Sequence, residues 1–352
     1  YVVALIQAAG TIVNMVVSIF LIYIGAGVLF VKAVATGVYM LRLVLVKIYA
    51  KRKYPALDFY AEPNEGALKQ KNAALLHQVV GIIVNNTDTT VLTICLGAKS
   101  LLEVSVYGIY MMVVNAVNQL MTSFSNGLTA GFGEVIAKNE EETLKKSYSS
   151  YEYMYFVIMF IVIACMGVLI LPFVGVYTIN LTDVQYVRPV LGILFTLIVF
   201  MQNVRIPGLT IICAAGHYKE TRYQAILEAV INITVSLGLV WKFGMAGVLL
   251  GTVCSYGYRS FEIVFYTSRH LVKGCAKKSM FRILRNVFTV AILCTVGTYV
   301  IPQEITSFTT WFLYAIGMGL TSVFLVVVIN YVVEPDEFMQ LRHRVNDIIK
   351  KE

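Results

Sequence analysis

Residues 73–97 read AALLHQVVGIIVNNTDTTVLTICLG, and the interpretation of the whole chain turns on them. About 20 apolar residues, at 1.5 Å rise each, suffice to cross a bilayer, and this stretch is long enough. Yet Asn85, Asn86, Thr87, Asp88, Thr89 and Thr90 interrupt it in one unbroken polar run. A carboxylate near the bilayer centre costs about 2.5–3.5 kcal/mol on insertion scales, so it persists only where it faces other helices or water. Two readings fit. One is a hydrogen-bonded cluster that packs helix against helix; the other is the wall of a water-filled cavity that handles a polar solute or an ion.

Composition sets the class around that stretch. Hydrophobic residues make up 58% of the 352 and charged residues 14%, with a mean hydropathy of +0.76. A soluble domain carries about 25% charge. The chain is expected to be all-α and polytopic; its apolar runs are about twice the roughly 10-residue segments of an outer-membrane barrel. The net charge of +8 lies in loops between apolar runs, so no nucleic-acid partner is called for. The six cysteines form no CxxC or Cys/His pairing, and inside apolar spans cysteine acts as a small packing residue. No metal site is expected. Tyr1 already lies within an apolar span, from which the true N-terminus is expected to precede it.

Apolar runs separated by charged breaks predict ten spans, near 1–23, 28–49, 73–97, 102–131, 149–173, 186–213, 222–241, 245–268, 285–302 and 307–333. The loops near 50–72, 132–148, 214–222 and 269–285, with the tail and flanking positions, hold 21 of the 28 Lys and Arg. The opposite loops hold Lys99, Arg188 and Lys242. Positive charge marks the cytoplasmic side, so both ends are expected there, in a multi-pass protein of the cell membrane. The stretch 58–72, with Pro63 discouraging helix, reads as a linker. Tyr148, Tyr151, Tyr153 and Tyr155 read as an aromatic belt at the membrane boundary. The 269–284 segment reads as a basic loop on anionic headgroups, and 334–352 as a short amphipathic cytoplasmic tail.

Polar residues inside spans mark the candidate site. Asn115, Asn118, Gln119, Thr122 and Asn126 recur at i, i+3, i+4, i+7 and i+11, one helical face. Interhelical hydrogen bonds in membranes average about 0.6 kcal/mol, and five amides and hydroxyls in one stripe favour cavity lining over packing alone. Arg205 stands two residues before Pro207, which is expected to kink its helix. Gln224, Glu228, Asn232 and Ser236 form a second polar face. Arg259 and Glu262, at i and i+3, are placed to pair across one turn.

The stretch NNTDTTVLTICLGAKSLLEVSVYGIYMMVVNAVNQLMTSFSNGLTAGFGEVIA resembles the opening of the second half of bacterial polysaccharide and lipid-linked oligosaccharide flippases. These belong to the multidrug/oligosaccharidyl-lipid/polysaccharide exporter superfamily. RIPGLTIICAAGHYKETRYQAILEAVINITVSLGLVWKFGMAGVLLGT resembles the family's kinked span, cytoplasmic turn and following hairpin, with Gly244, Gly247 and Gly251 at its glycine-rich turn. The resemblance implies two six-helix lobes around a central cavity. Residues 1–49 would then be the last two helices of a first lobe, with about four helices before Tyr1. Residues 50–72 would be a cytoplasmic linker, 73–268 the complete six-helix second lobe and 285–333 an extra C-terminal helix pair.

The function so implied is flipping of a polyprenyl-pyrophosphate-linked oligosaccharide by alternating access, for cell-surface polysaccharide assembly, alongside other polysaccharide-assembly proteins. Arg205 and Arg259 are the candidates for pyrophosphate, since guanidinium binds phosphate oxygens bidentately. Asn115, Asn118, Gln119, Asn126 and Asn232 would bond sugar hydroxyls. Asp88 would couple the cycle to a proton or Na⁺, or orient Asn85, and no other cofactor is expected. The alternatives are an ion-coupled multidrug exporter of the same fold, a scaffold for polysaccharide synthesis, or a membrane-embedded glycosyl- or acyltransferase. The chain is not expected to be an enzyme, because its four histidines are isolated and no paired carboxylates line one loop.

Overall fold

The computed structural model describes residues 2–54, 70–125, 128–302 and 305–339. Among these residues there is no strand. The helices run in order α1 (Val2–Tyr23), α2 (Val28–Lys53), α3 (Lys71–Cys95), α4 (Ser100–Ser125), α5 (Leu128–Ala137) and α6 (Glu141–Tyr177). They continue with α7 (Pro189–Val204), α8 (Ile206–Ala214), α9 (Arg222–Phe243), α10 (Met245–His270), α11 (Ala276–Val300) and α12 (Phe308–Val333). The chain is an all-α, multi-pass membrane protein: eight stretches are long and apolar enough to cross a bilayer, namely α1, α2, α4 with α5, α6, α7 with α8, α9, α11 and α12.

All ten expected positions are helical. The two that fall short in apolarity, α3 and α10, are 25 and 26 residues long and carry Asp88 and the Arg259–Glu262 pair. Part of their polar surface is turned inward: on α3 Thr87 and Asp88 are buried while Asn85, Asn86, Thr90 and Thr93 are exposed, and on α10 Thr252, Ser255, Tyr256 and Arg259 are buried. Polar residues that face neighbouring helices are kept from lipid, which is how α10 and the Asp88 side of α3 remain compatible with a membrane.

The chain divides into two compact units, Tyr1–Leu68 and Lys69–Glu352. In the first, α1 and α2 form a hairpin around Gly25, whose φ of 79° is a conformation that favours glycine. Arg42 lies across α1 at Gly10, where a Cβ would come within 3.0 Å of its Cδ; it therefore packs on the neighbouring helix.

In the second unit α9 and α10 form the tightest pair. Gly244 turns the chain with φ 57°. A Cβ on Gly251 would lie 2.2 Å from the Ser236 Oγ, and one on Gly247 2.4 Å from the Leu239 carbonyl oxygen, so small residues let the two backbones meet, as they do in membrane helix pairs. The expected kink at Pro207 is a break: α7 ends at Val204 and α8 begins at Ile206, because proline supplies no N–H to the ladder. Arg205 sits at the joint.

Four expectations need correction. α6 starts at Glu141, and Tyr148, Tyr151, Tyr153 and Tyr155 are all buried, so they form an interior row and not a lipid-facing belt. The Tyr151 hydroxyl donates to Ser125 Oγ at 3.1 Å and that of Tyr155 to Asn203 Oδ1 at 3.0 Å; hydroxyls with partners deep in the bundle are satisfied there. The supposed 269–284 loop is short, since α10 runs to His270 and α11 begins at Ala276. Arg282, expected on headgroups as part of that loop, lies on α11 and is fully buried, paired with Glu152 of α6 and with Glu334 just past α12. Finally, the expected 50–72 linker is helical at both ends, α2 running to Lys53 and α3 starting at Lys71; 55–69 lie outside the described residues. The amphipathic tail lies mostly outside the described residues; 335–339 are helical.

Candidate functional site

The candidate site lies within the second unit, where α3, α4, α7, α9 and α10 bring their polar faces together. Asp88 is 4% exposed. Its Oδ1 accepts from the Thr252 hydroxyl at 2.7 Å and its Oδ2 from the Tyr107 hydroxyl at 3.2 Å. Three helices thus satisfy one buried carboxylate, which a low-dielectric interior requires. One turn away, Asn85 Oδ1 accepts from the Tyr256 hydroxyl at 3.2 Å. Asn232 donates to Thr252 Oγ1 at 3.0 Å while its own Oδ1 has no partner among the described residues.

A second chain of bonds crosses from α4 to α7. Asn118 Nδ2 donates to Gln202 Oε1 at 2.9 Å, and Asn203 Nδ2 donates to Asn118 Oδ1 at 2.9 Å. The amide stripe on α4 is therefore divided in use. Asn118 is bonded inward, whereas Asn115 and Gln119 are exposed. Asn126 lies outside the described residues.

Arg205 and Arg259 are brought together by one residue. Glu228 on α9 accepts from Arg205 Nη1 through Oε1, and its Oε2 lies 3.5 Å from Arg259 Nε. Arg259 also donates to Glu262, as the i, i+3 spacing predicts. The Arg205 guanidinium rests on the Tyr256 ring at 4.5 Å, a cation–π contact. Two guanidiniums face two carboxylates, so the formal charge of the cluster is zero. The basic cavity expected from the two arginines is compensated in place.

Two cavities border these groups. One, of about 360 Å³, is lined by Asn85, Asp88, Tyr107, Asn115, Asn118 and Gln202, with Phe195 and Met111 beside them. The other, of about 290 Å³, is lined by His77, Arg205, Glu228, Arg259, Tyr218 and Thr221. They share Val84, Asn85, Gln202 and Tyr256, so the Tyr256–Asn85 bond stands at the partition. Each volume is near the lower edge of the roughly 300–1,000 Å³ of small-ligand sites.

Of the residues singled out in the sequence, Asn85, Asp88, Asn115, Asn118, Arg205 and Arg259 line these cavities. Asn232 borders neither; it is fully buried between α9 and α10. Gln119 borders neither. Sequence reasoning placed Glu228 in a polar face without giving it a binding role, and gave none to Tyr256, Thr252, Tyr107, Gln202 and His77. Some were legible: Thr252, Tyr256 and Arg259 fall at i, i+4 and i+7, one face of a helix, and Glu228 belongs to the stripe on α9. Tyr107 carries no such signal. Among the described residues, no group of three or more His, Cys, Asp or Glu is placed to hold a metal ion.

Compared with known proteins, the chain matches no family model, and no curated protein matches it.

Proposed function

We propose that residues 73–268 form one lobe of an alternating-access transporter, and that its cargo is a polyprenyl-pyrophosphate-linked oligosaccharide flipped across the bacterial cytoplasmic membrane. The observation that carries the reading is an exposed polar face at membrane depth. Asn85, Asn86, Thr90 and Thr93 on α3, and Asn115, Gln119, Thr122 and Ser123 on α4, are all exposed, and the two cavities open beside them. Such a face is costly against lipid even where Asn86, Thr90, Thr93, Thr122 and Ser123 donate to carbonyls of their own helices; water or a facing protein lobe suits it better. Amides and hydroxyls suit sugar hydroxyls, and Arg205 with Arg259 suits a pyrophosphate. Rocking of one lobe against another would expose the face to each side in turn, with Asp88 the residue that takes up a proton or Na⁺. The excess of Lys and Arg in alternate loops supports a cytoplasmic C-terminus. No catalytic step is assigned.

A second reading has its own support. Asp88 shares its cavity with Tyr107, Phe195 and Tyr256, a carboxylate among aromatic rings, which fits an organic cation and so an ion-coupled drug exporter. One assay separates the two. The protein is reconstituted in liposomes and tested for translocation of radiolabelled polyprenyl-pyrophosphate oligosaccharide and for efflux of a cationic dye, beside Asp88→Asn. Flipping that falls at least about tenfold in the variant, without dye efflux, is the expected result; dye efflux without flipping moves the chain to the exporter reading, and neither activity overturns both.

A further inference from the structure

Glu228 occupies the place an anionic group would take. Its two carboxylate oxygens go to different arginines, Oε1 to Arg205 and Oε2 to Arg259, the bridging pattern by which two guanidiniums hold a phosphate. Both arginines face the 290 Å³ cavity beside it. Among the described residues, Arg205 gives its one side-chain hydrogen bond to Glu228, and its remaining N–H groups are left for a second acceptor.

We propose that Glu228 is a built-in competitor for the anionic part of the cargo, so that the anion and a proton enter this site together. The inference rests on the transporter reading above and adds the rule by which its arginines are released. With Glu228 ionised the arginines are taken. When an anion reaches the cavity, its oxygens accept from Arg205 and Arg259. Glu228 then leaves them, and its carboxylate takes a proton because it no longer faces a cation in a buried place. Release reverses both steps, and the glutamate closes the site again. The charge balance is consistent: two guanidiniums, ionised Glu262 and a divalent anion leave one negative charge, whereas an ionised Glu228 would leave two.

Other titratable or charged groups face Glu228. Arg205 approaches from the joint between α7 and α8, His77 from α3, and Arg259, Glu262 and the hydroxyls of Tyr256 and Tyr258 from α10. His77 is itself an ionisable group and has to be separated from the glutamate by experiment. Its Nε2 donates to the Tyr218 backbone carbonyl at 3.0 Å and lies 3.3 Å from the Thr221 hydroxyl, which holds it at the cavity wall.

The test is equilibrium binding of sulfate, a divalent anion whose charge does not change over the range used. The purified protein in detergent is titrated from about pH 5 to about pH 8, at fixed ionic strength. Wild-type affinity is expected to rise as pH falls. Glu228→Gln, which keeps the size and removes the charge, should bind sulfate at least about tenfold more tightly at neutral pH and show no pH slope. Arg205→Ala and Arg259→Ala should lose binding, and His77→Gln should keep the slope.

A slope that persists in Glu228→Gln or vanishes in His77→Gln overturns the proposal, as does equal affinity in wild type and Glu228→Gln. If Glu228→Gln does not fold, the wild-type and His77→Gln slopes decide it by the same criteria. Normal flipping of lipid-linked sugar beside a failed sulfate test removes only the proton–anion exchange. A positive sulfate test without flipping removes only the cargo.

Discussion

Arg282 and Arg205 are both arginines held by glutamates inside the second unit, yet their surroundings differ. The Arg282 guanidinium is saturated. Its Nε donates to Glu334, Nη1 to Glu152 and the Ser149 carbonyl oxygen, and Nη2 to Ser149 Oγ, with the Tyr153 ring 5.3 Å away. Arg285 and Lys278 complete the cluster on Glu334 and Glu337; a cavity of about 530 Å³ is lined by Ser149, Glu152, Lys278 and Glu337, with Arg282 itself behind them. Arg205 has one carboxylate oxygen, one aromatic ring and open space. The comparison separates an ion cluster that welds α6, α11 and α12 from one that keeps donors in reserve. A fully satisfied buried network rigidifies; a sparingly satisfied one beside a cavity is free to change partners.

Three measurements would break or sharpen that contrast. The largest effect belongs to Arg282→Ala. It leaves Glu152 buried without a cation, and breaking such a pair costs about 3–5 kcal/mol. Thermal unfolding in detergent should show that loss, and a near-normal melting temperature would end the welding role. Arg205→Ala should cost less, about 1.5–3 kcal/mol by the loss of one charged hydrogen bond, because Glu228 keeps Arg259. Its damage should fall instead on translocation, and a stability loss equal to that of Arg282→Ala would erase the difference between the clusters.

The smallest effect concerns pH. Burial pushes the Glu337 carboxyl up, but hydrogen bonds from Lys278 and Ser149, with the Lys278 and Arg282 charges, outweigh it and hold the group below its ordinary value. A depressed value means that its contribution is complete above the ordinary carboxylate range and is lost as pH falls through the lower folded value. The melting-temperature gap between wild type and Glu337→Gln should therefore shrink on acidification below that range. A gap that widens would reverse the sign and the assignment.

Much of the fold was legible because membrane helices announce themselves by length and apolarity, and the charged breaks located all ten helical positions. The break before Pro207, the α9–α10 glycine turn and the Arg259–Glu262 pair are local consequences of proline, glycine and helical spacing, so the residues themselves carried them. The tyrosines of α6 were misplaced for a physical reason. A belt tyrosine and an interior tyrosine have the same composition, and only the presence of Ser125, Thr210 and Asn203 within reach distinguishes them. The same holds for Arg282, whose neighbours suggested a headgroup-facing loop until α11 was found to begin at Ala276.

For the site, the chain by itself determined which side chains are polar at membrane depth and which share a helical face, since both follow from a period of 3.6 residues. Tertiary structure alone decided how those faces combine. Asp88 meets Thr252 across 164 positions of sequence, and Glu228 joins two arginines from different helices, turning an apparently basic pair into a neutral cluster. Such partnerships depend on how helices far apart in the chain lie against one another. No local spacing encodes that, so electrostatic balance is settled only when the bundle is assembled.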